Sequence, residues 1–441
     1  MASDIKVNNI KSYTGNTLNL GDTGDTINLT GASFNGTSSV IWDTTVKTTD
    51  FTGSAGQGYF VNTTSAAVTV TLPASPSAGD IVAISDYAGT AATNNITVGR
   101  NGEPIGGINA DAVIETNKKT VFLIYIDGTQ GWLNQSTGDS FQLAAEFVAA
   151  TGGTITTDGD FKVHTFDSSG TFTVTNAGNV VGSNSVDYMV IAGGGGGGSS
   201  EGPNGAGGGG GGGGAGGYRT NHPSPATGGL SVSAQAYPIT IGGGGSGGGA
   251  APANRGNPGN RGSNSVFSTI TSTGGGAGGG DDIANPNAPG GSGGGGDGDG
   301  GSDGGSGNTP SVSPPQGNNG GDGGGRHGGG GGGAGEAGDT DGQAAGGDGS
   351  PNSITGSNVT YAGGGGGGAG SGPAPSNPGG TGGGGTGCGA FFPGQNTPAP
   401  NGNGTAGSAN TGGGGGGLGA GFVGNAYAGG SGKVVIRYKF Q

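Results

Sequence analysis

The chain has 441 residues, of which 29% are hydrophobic, 10% are charged and 122 are glycine. Only 22 of those glycines precede residue 181, so the second half of the chain cannot close around an apolar core of ordinary size. The formal net charge of −14 argues against a nucleic-acid-binding surface, since no basic stripe is present to neutralise phosphates, and it also argues against binding to anionic membranes.

The first residues and the single cysteine set expectations about where the protein is made. Residues 1–6 (MASDIK) contain no charged-then-apolar signal region, and no apolar run approaches the roughly 20 residues that span a bilayer. We therefore expect a soluble protein that is made in a cytoplasm. Cys388 is the only cysteine, which excludes an intrachain disulfide framework. We interpret it as a small buried residue.

Residues 1–46 are predicted to be an attachment segment or shaft. Residues 14–20 (TGNTLNL) and 23–29 (TGDTINL) repeat at a nine-residue spacing, with leucine or isoleucine alternating with polar side chains. This alternation is typical of short strands. Two such rungs bury too little surface to be stable alone, so the pattern indicates a trimeric β-prism or β-helix in which three chains share one core. The alternative is a frayed N-terminal arm.

Residues 47–135 are predicted to form a β-sandwich. Turn signals at 72–76, 78–80, 100–102 and 127–128 recur at the spacing that such folds show. Between them lie runs of apolar and β-branched residues that are typical of strands. The expected strands are 57–62, 67–72, 80–85, 96–99 and 120–126, closed by residues 132–133 (WL).

Residues 136–191 are predicted to be a linker followed by a small β base. Residues 136–147 fit either one short helix or an extended linker, whereas 161–166, 171–175 and 186–191 are expected to be strands. Residues 432–441 form a closing strand, with Val434, Ile436 and Tyr438 on one face. Because these are the main apolar elements that flank the glycine region, we expect the closing strand to pair with segment 161–191.

Residues 192–431 contain pure glycine runs at 193–198, 207–214, 328–333, 363–368 and 412–417. Four structures compete here. A flexible linker would not need interspersed apolar stretches such as 237–241 (YPITI). Collagen requires glycine at every third position, and a calcium β-roll requires an apolar residue in each repeat, which the closest stretch, 297–303, lacks. The fourth structure is a bundle of polyglycine-II helices, which are polyproline-II-type helices of glycine.

A polyproline-II helix has three residues per turn and no internal hydrogen bonds. When every side chain is a hydrogen atom, neighbouring helices can approach closely and bond laterally. Because ordering each residue costs roughly 1–2 kcal/mol, such a lattice must pair nearly all of its backbone groups. The residues between the runs have the composition of surface turns, and we expect binding tips at 218–226, 250–263, 281–289, 308–319, 370–378 and 388–403.

Three stretches resemble the glycine-rich C-terminal domain of tailed-bacteriophage tail fibres and fibre-tip adhesins: 159–174 (GDFKVHTFDSSGTFTV), 187–198 (DYMVIAGGGGGG) and 429–440 (GGSGKVVIRYKF). Residues 47–89 and 118–135 look like β domains of marine-phage tail fibres. The resemblance implies a homotrimeric fibre of the virion, attached to the baseplate or another tail protein through its N-terminal part. It also implies a polyglycine-II sandwich whose distal loops contact a protein or glycan receptor on the host surface.

The sequence thus predicts an all-β multidomain fibre that recognises a host cell and has no nucleic-acid partner. The alternative is a purely structural fibre or surface protein, including an ice-binding array of polyproline-II helices. Irregular and chemically diverse tips favour receptor recognition over a repeated ice-binding face. A depolymerase is a third option, although no paired carboxylates have a spacing that suggests a glycosidase site.

The residues suggest no enzyme, and no cofactor is predicted. The histidines are isolated, without the spacing of a metal pair; they are His164, His222 and His327. Most aspartates are interpreted as turn residues in Asp-Gly contexts. No metal site is predicted, and the candidates for a hard cation on a flexible loop are Asp297, Asp299 and Asp303.

Receptor binding is predicted at aromatic and amide side chains of the tips, because a ring can stack on a sugar while amides supply directional hydrogen bonds. Two adjacent phenylalanines in a glycine setting either cap the lattice or stand exposed for a partner. The predicted contact residues are Tyr218, His222, Phe391, Phe392, Asn396 and Asn401.

Overall fold

The computed structural model describes residues 40–135, 142–200, 207–223, 229–250, 256–280, 288–299, 302–370, 376–390, 403–422 and 424–441. The chain divides into two compact units, with the boundary between Gln142 and Leu143. The regular structure of the described residues is entirely β, as predicted. None of them forms a helix long and apolar enough to cross a membrane. The predicted rungs at 14–20 and 23–29 lie outside the described residues, so the trimeric shaft stays a prediction.

Ten strands form the two five-stranded sheets of the first unit. They are β1 (Ile41–Lys47), β2 (Phe51–Thr52), β3 (Gln57–Val61), β4 (Val68–Thr71), β5 (Ile81–Asp86), β6 (Ile96–Gly99), β7 (Ala112–Ile114), β8 (Thr120–Asp127), β9 (Gly131–Asn134) and β10 (Gln142–Leu143). One sheet has the order β1-β3-β5-β8-β9 and the other has the order β10-β7-β6-β4-β2. The expected strands of this region are therefore present in two sheets.

The two sheets are built by a winding chain. Strands β1, β3 and β5 pair in parallel in one sheet, while β2, β4 and β6 pair in parallel in the other. Each successive coil thus contributes one strand to each sheet. After β6 the direction reverses, because β7 pairs with β6 and β8 pairs with β5 in antiparallel fashion. Sequence alternation predicted the strands but carries no information on this parallel direction.

The first unit has a conventional apolar core. Its fully buried side chains include Leu72, Ile84, Leu123 and Trp132. Gly58 lies beneath a second indole ring, since a Cβ atom there would come within 2.7 Å of Trp42 Cδ2. That ring also stacks on Phe60, with 4.7 Å between the ring centroids. Close approach of an aromatic ring therefore explains a glycine in the middle of β3.

The second unit begins with a β base. Its strands are β11 (Val148–Thr151), β12 (Thr154–Asp158), β13 (Phe161–Phe166), β14 (Gly170–Ala177), β15 (Ser185–Ile191), β16 (Tyr218–Thr220), β17 (Leu230–Ser231), β18 (Ala236–Thr240), β19 (Ser265–Phe267), β20 (Ile270–Ser272), β21 (Ser350–Asn352), β22 (Val359–Tyr361) and β23 (Lys433–Lys439). One sheet has the order β11-β14-β18-β19-β20, another has the order β12-β13-β23-β15-β16, and β21 pairs with β22. Described residues 142–147 contain a strand and no helix.

The closing strand β23 lies between β13 and β15 and is antiparallel to both. The predicted pairing of the chain's last strand with segment 161–191 is thereby confirmed. Val434, Ile436 and Tyr438 face one apolar core with the sheet that contains β14, while Val435 faces a second core with Ile354. Both faces of β23 are therefore covered. Because β23 pairs with β15, the strand that precedes the first glycine run, the two ends of the glycine-rich region are held side by side in the protein interior.

The glycine-rich region is a lattice of extended segments joined by lateral backbone hydrogen bonds. Segment 193–199 shows the pattern: its amides donate in order to the carbonyl groups of Ser263, Gly430, Gly214, Asn260, Tyr427, Gly211 and Asn257, over 2.8 to 3.0 Å. Every third amide thus meets the same neighbour. The carbonyl groups of 193–198 accept hydrogen bonds from three further segments, at 245–248, 275–278 and 415–418. Segment 193–199 therefore has six hydrogen-bonded neighbours.

Steric contact explains why the interior segments are pure glycine. Ideal Cβ atoms placed on residues 193–198 would lie 1.8 to 2.1 Å from carbonyl oxygens of surrounding segments. Those on residues 328–333 would lie 1.8 to 2.3 Å from such oxygens. With a three-residue period and neighbours on all sides, every position of an interior segment faces another backbone. No residue larger than glycine fits there without separating the segments.

Peripheral segments need fewer glycines. In segment 256–263, added Cβ atoms would meet backbone oxygens at 2.2 Å on Gly259 and 2.0 Å on Gly262. These two glycines are three residues apart, whereas Asn260, Arg261 and Ser263 are exposed. The predicted tip at 250–263 is therefore corrected: its part from residue 256 onward belongs to the lattice. A Gly-x-x-Gly spacing marks a segment with one face on the lattice, and this signal was present in the sequence.

Candidate functional site

The lattice segments run between the β base and an opposite end, here called the distal end. Hydrogen bonds between the ends of these segments define it. Ser199 N donates to Asn257 O, Ser200 Oγ donates to Gly419 O, and Ala420 N donates to Ala369 O. In the same way Ala369 N donates to Cys388 O, Gly370 N to His327 Nδ1, and Gly209 N to Arg326 O. Segments that leave the base reach this end at Ser200, Ala250, Gly280, Gly370 and Ala390, each followed by residues outside the described ranges. The distal end is thus where the lattice changes direction.

Four of the six predicted contact residues lie outside the described ranges: Phe391, Phe392, Asn396 and Asn401. Their predicted role stays a prediction. The described residues before them are buried, with Cys388 at 1% exposure and Ala390 at 0%. Burial also raises the pKa of the Cys388 thiol, so the interpretation of this cysteine as a small buried residue is confirmed.

The turn at residues 324–327 is a described part of the distal end. Gly324 and His327 form an antiparallel bridge, and Arg326 adopts a φ of 71° in the exposed bend between them. His327 Nδ1 accepts a hydrogen bond of 3.3 Å from the amide of Gly370, and burial lowers the pKa of this imidazole. An exposed arginine therefore lies on a fixed turn, and it is a candidate contact residue that the sequence did not single out.

The predicted tip at 308–319 lies at the β base and not at the distal end. Gln316 is buried, its carbonyl accepts from the Tyr218 amide at 2.8 Å, and its Oε1 accepts from the Thr273 amide at 2.9 Å. The Asn308 side chain accepts from the amides of Val312 and Gln316. This connection is thus held against the base by its own amide side chains.

The other two predicted contact residues, Tyr218 and His222, also lie at the base. Tyr218 starts β16, where Asn352 Nδ2 donates to its hydroxyl at 2.7 Å and burial raises its pKa to about 12. The same Nδ2 atom donates to the carbonyl of His222 at 3.0 Å. The structure therefore brings these two residues together, but within the folded base and not on a distal turn.

His222 forms a hydrogen-bonded chain with Asp187 and Ser353. Its Nδ1 lies 3.1 Å from Asp187 Oδ2, and its Nε2 lies 3.3 Å from Ser353 Oγ. The side chains of His222 and Asp187 are 15% and 35% exposed. Because a carboxylate can only accept, the proton of the neutral imidazole lies on Nδ1, and Nε2 is then the atom that can accept from the serine hydroxyl. The sequence did not reveal this cluster, because its members are far apart in the chain.

His164 is a core residue. It is 0% exposed, its Nδ1 donates to the Gly152 carbonyl at 2.7 Å, and its Nε2 accepts from the Tyr438 hydroxyl at 3.1 Å. Burial lowers the pKa of this imidazole. Burial thus favours the neutral form of this side chain, which lies against Tyr438 of β23.

The candidate cation ligands do not gather at one point. Asp297 is 6% exposed and accepts hydrogen bonds from Ser302 Oγ and the Asp299 amide, and burial raises its pKa. Asp299 and Asp303 are exposed. Among the described residues, carboxylate oxygens within 4.8 Å of one another occur instead at Glu336, Asp341 and Asp348. Backbone amides of Asp348 and Thr381 donate to two of these carboxylates, which accounts for their positions without an ion.

The described architecture defines a class of all-β proteins in which a small β base holds a hydrogen-bonded glycine lattice. The chain belongs to the glycine-rich domain family, whose model matches residues 166–439, more than half of its length. The match begins at the last residue of β13 and ends at the last residue of β23, so it covers the lattice together with the base strands β14 to β20 and β23. None of the curated proteins matches the chain in sequence.

Proposed function

We propose that the protein is a tail-fibre receptor-binding protein of a tailed bacteriophage, which binds a protein or glycan on the host surface through the distal end of its lattice. The supporting observation is that five outgoing segments end in one hydrogen-bonded layer opposite the base. The connecting residues there differ in length and composition, and long connections on a rigid scaffold are a common setting for binding. The resemblance to tail fibres adds the proposed context: a homotrimer in the virion, attached through its N-terminal region.

We further infer that the lattice segments are polyglycine-II helices. The three-residue period of their lateral hydrogen bonds is that of a polyproline-II helix, and the six-neighbour arrangement of segment 193–199 satisfies its backbone without side chains. Such a scaffold suits an adhesin because hydrogen bonds between backbone groups, and not side chains, fix the positions at which the connections between segments begin. Receptor chemistry can then reside entirely in the connections.

The test compares two double substitutions that each remove a pair of adjacent apolar side chains. Phe391→Ala/Phe392→Ala changes the distal connection 391–402, whereas Val180→Ala/Val181→Ala changes the base, where these valines are 66% and 43% exposed. Fluorescently labelled full-length protein is applied to a panel of bacterial cells and a glycan array. We expect the phenylalanine variant to lose at least about 30-fold in affinity, as aromatic hot spots do, and the valine variant to bind like wild type.

The melting temperature of each variant separates lost contacts from lost folding. A phenylalanine variant that binds normally would remove these residues from the proposal. If the wild type binds no cell and no glycan, the purely structural fibre becomes the better account. Equal loss in both variants would place binding outside the distal end.

A further inference from the structure

The chain of Asp187, His222 and Ser353 has the atom order of a nucleophile, its base and the group that orients the base. Each ring nitrogen faces the partner that this role requires: Nδ1 faces the carboxylate and Nε2 faces the hydroxyl. Serine hydrolases on unrelated folds share this arrangement in geometry and not in sequence order. The three residues come from separate elements, since Asp187 lies in β15, His222 follows β16 and Ser353 follows β21.

The surrounding backbone is held by one buried amide. Asn352 is 2% exposed; its Nδ2 donates to the carbonyl of His222 at 3.0 Å, and its Oδ1 accepts from the amide of Ile354 at 2.8 Å. The positions of the base and the nucleophile are therefore fixed by a single side chain, as preorganised sites require. Ser353 itself is half-buried and keeps access to solvent.

We propose that Ser353 is the nucleophile of an ester-hydrolysing site, with His222 as its general base and Asp187 as the positioning residue. Ser353 Oγ attacks the carbonyl carbon of the ester while its proton passes to His222 Nε2. The carbon–oxygen bond to the alcohol then breaks, and the alcohol leaves with that proton. Water, deprotonated by the same nitrogen, cleaves the acyl-serine to a carboxylic acid and restores the hydroxyl.

The residues around the serine indicate the class of substrate. Its neighbours in the β21–β22 connection are small and polar, including Thr355, Ser357 and Asn358, and Thr220 lies beside Asn352. Such a surface suits a short acyl group on a large polar alcohol, such as an acetyl ester on a glycan. The proposal goes beyond receptor binding and does not depend on it, because the cluster lies at the base.

The test uses the full chain, p-nitrophenyl acetate as substrate and a fluorophosphonate as covalent probe. We expect Ser353→Ala to lower kcat/KM at least about 100-fold, the lower end of what general-base activation supplies. Ser168→Ala, a control at an exposed serine in the β13–β14 connection, should leave the rate unchanged. Asp187→Asn should lower kcat at unchanged KM, which a purely structural role would not do. Peptide mapping should locate the fluorophosphonate on Ser353.

Folding of each variant is checked by its melting temperature, and Ser353→Ala removes only one hydroxyl. Hydrolysis by Ser353→Ala at the wild-type rate would overturn the proposal. So would labelling at other serines, or a wild-type protein that hydrolyses the ester no faster than buffer.

Discussion

The substitution Gly212→Ala tests the hydrogen-bonded lattice most directly. Gly212 lies in an interior run, where its amide donates to Gly329 O at 2.9 Å and its carbonyl accepts from the Gly295 amide at 2.8 Å. An ideal Cβ atom on this residue would lie 2.0 Å from the carbonyl oxygen of Gly365, which accepts from the Gly331 amide. That separation must grow to at least 3.0 Å, the limit below which real Cβ contacts essentially do not occur.

A shift of about 1 Å between neighbouring segments stretches lateral hydrogen bonds beyond the roughly 3.5 Å at which they hold. Each buried amide or carbonyl group left without a partner costs about 1–3 kcal/mol. Breaking one such bond leaves two groups without partners and should therefore lower the free energy of unfolding by about 2–6 kcal/mol. The matched control is Gly243→Ala, because Gly243 is exposed and its added Cβ atom would meet nothing within 4 Å. The control should be neutral or stabilising by about 0.4–1 kcal/mol, since alanine restricts the unfolded chain.

Calorimetry gives the change in stability, and amide hydrogen exchange locates it. Gly212→Ala should unfold several degrees below wild type and should lose protection at the amides of Gly212, Gly295 and Gly331, while Gly243→Ala should not. If both variants unfold at the same temperature as wild type with unchanged protection, the reasoning from steric contact in a rigid lattice is refuted. Fast exchange throughout the wild-type glycine runs would refute the lattice itself.

Two further predictions concern groups whose pKa is shifted by burial. Burial lowers the pKa of His164 below its ordinary 6.5. As the pH falls, the unfolded chain therefore takes up the proton before the folded protein does. The stability that neutral His164 contributes above about pH 6.5 is thus lost as the pH drops through the folded-state pKa. Denaturant unfolding at about pH 7.5 and 5.5 should show a smaller loss for His164→Gln than for wild type; equal losses would contradict this. Burial raises the pKa of Asp339, whose Oδ1 accepts from the amides of Gly330 and Ala344 at 2.8 and 2.9 Å. Asp339→Asn keeps that acceptor and removes the charge, so it should raise the free energy of unfolding at about pH 7 but not at about pH 3, and a loss at pH 7 would count against it.

Side-chain alternation made the base predictable from sequence. Val434, Ile436 and Tyr438 lie on one face of β23 as their spacing indicates, and the strand pairs with β13 and β15 as its apolar character predicted. The other face of β23 was harder to anticipate, because Val435 and Arg437 are also buried there. Residues from the β21–β22 hairpin cover that face, and no local pattern indicates such a distant contact.

The interior of the lattice was predictable for a steric reason, and its edge was misjudged for a related one. A run such as 193–198 has backbone neighbours on every side, so only glycine fits. An interior segment can therefore be recognised in the sequence as an uninterrupted glycine run. In segment 256–263, added Cβ atoms would meet neighbouring backbone at Gly259 and Gly262, so these two positions face the lattice. The other residues of this segment are polar and include proline, and their composition was therefore interpreted as a turn. Glycine spacing, and not glycine content, identifies an edge segment.

Tyr218 and His222 show the limit of composition as a guide to sites. Both are polar or aromatic residues after a glycine run, which favours a tip, yet hydrogen bonds to Asn352 hold them in the base. Those bonds join residues more than a hundred positions apart in the chain. The sequence alone could not bring His222 to Asp187 and Ser353, because only the folded sheet makes them neighbours.

The lattice also limits where ligand chemistry can be carried. Positions in the pure glycine runs accept no side chain, and edge segments such as 256–263 can present side chains only at positions that do not face the lattice. A connection at the distal end has no such restriction, because the hydrogen bonds of its flanking residues, among them Ala369 and Cys388, are completed within the lattice. Its sequence can therefore change with little effect on the segments that carry it. Under the proposed function, this separation lets one scaffold hold connections of different chemistry.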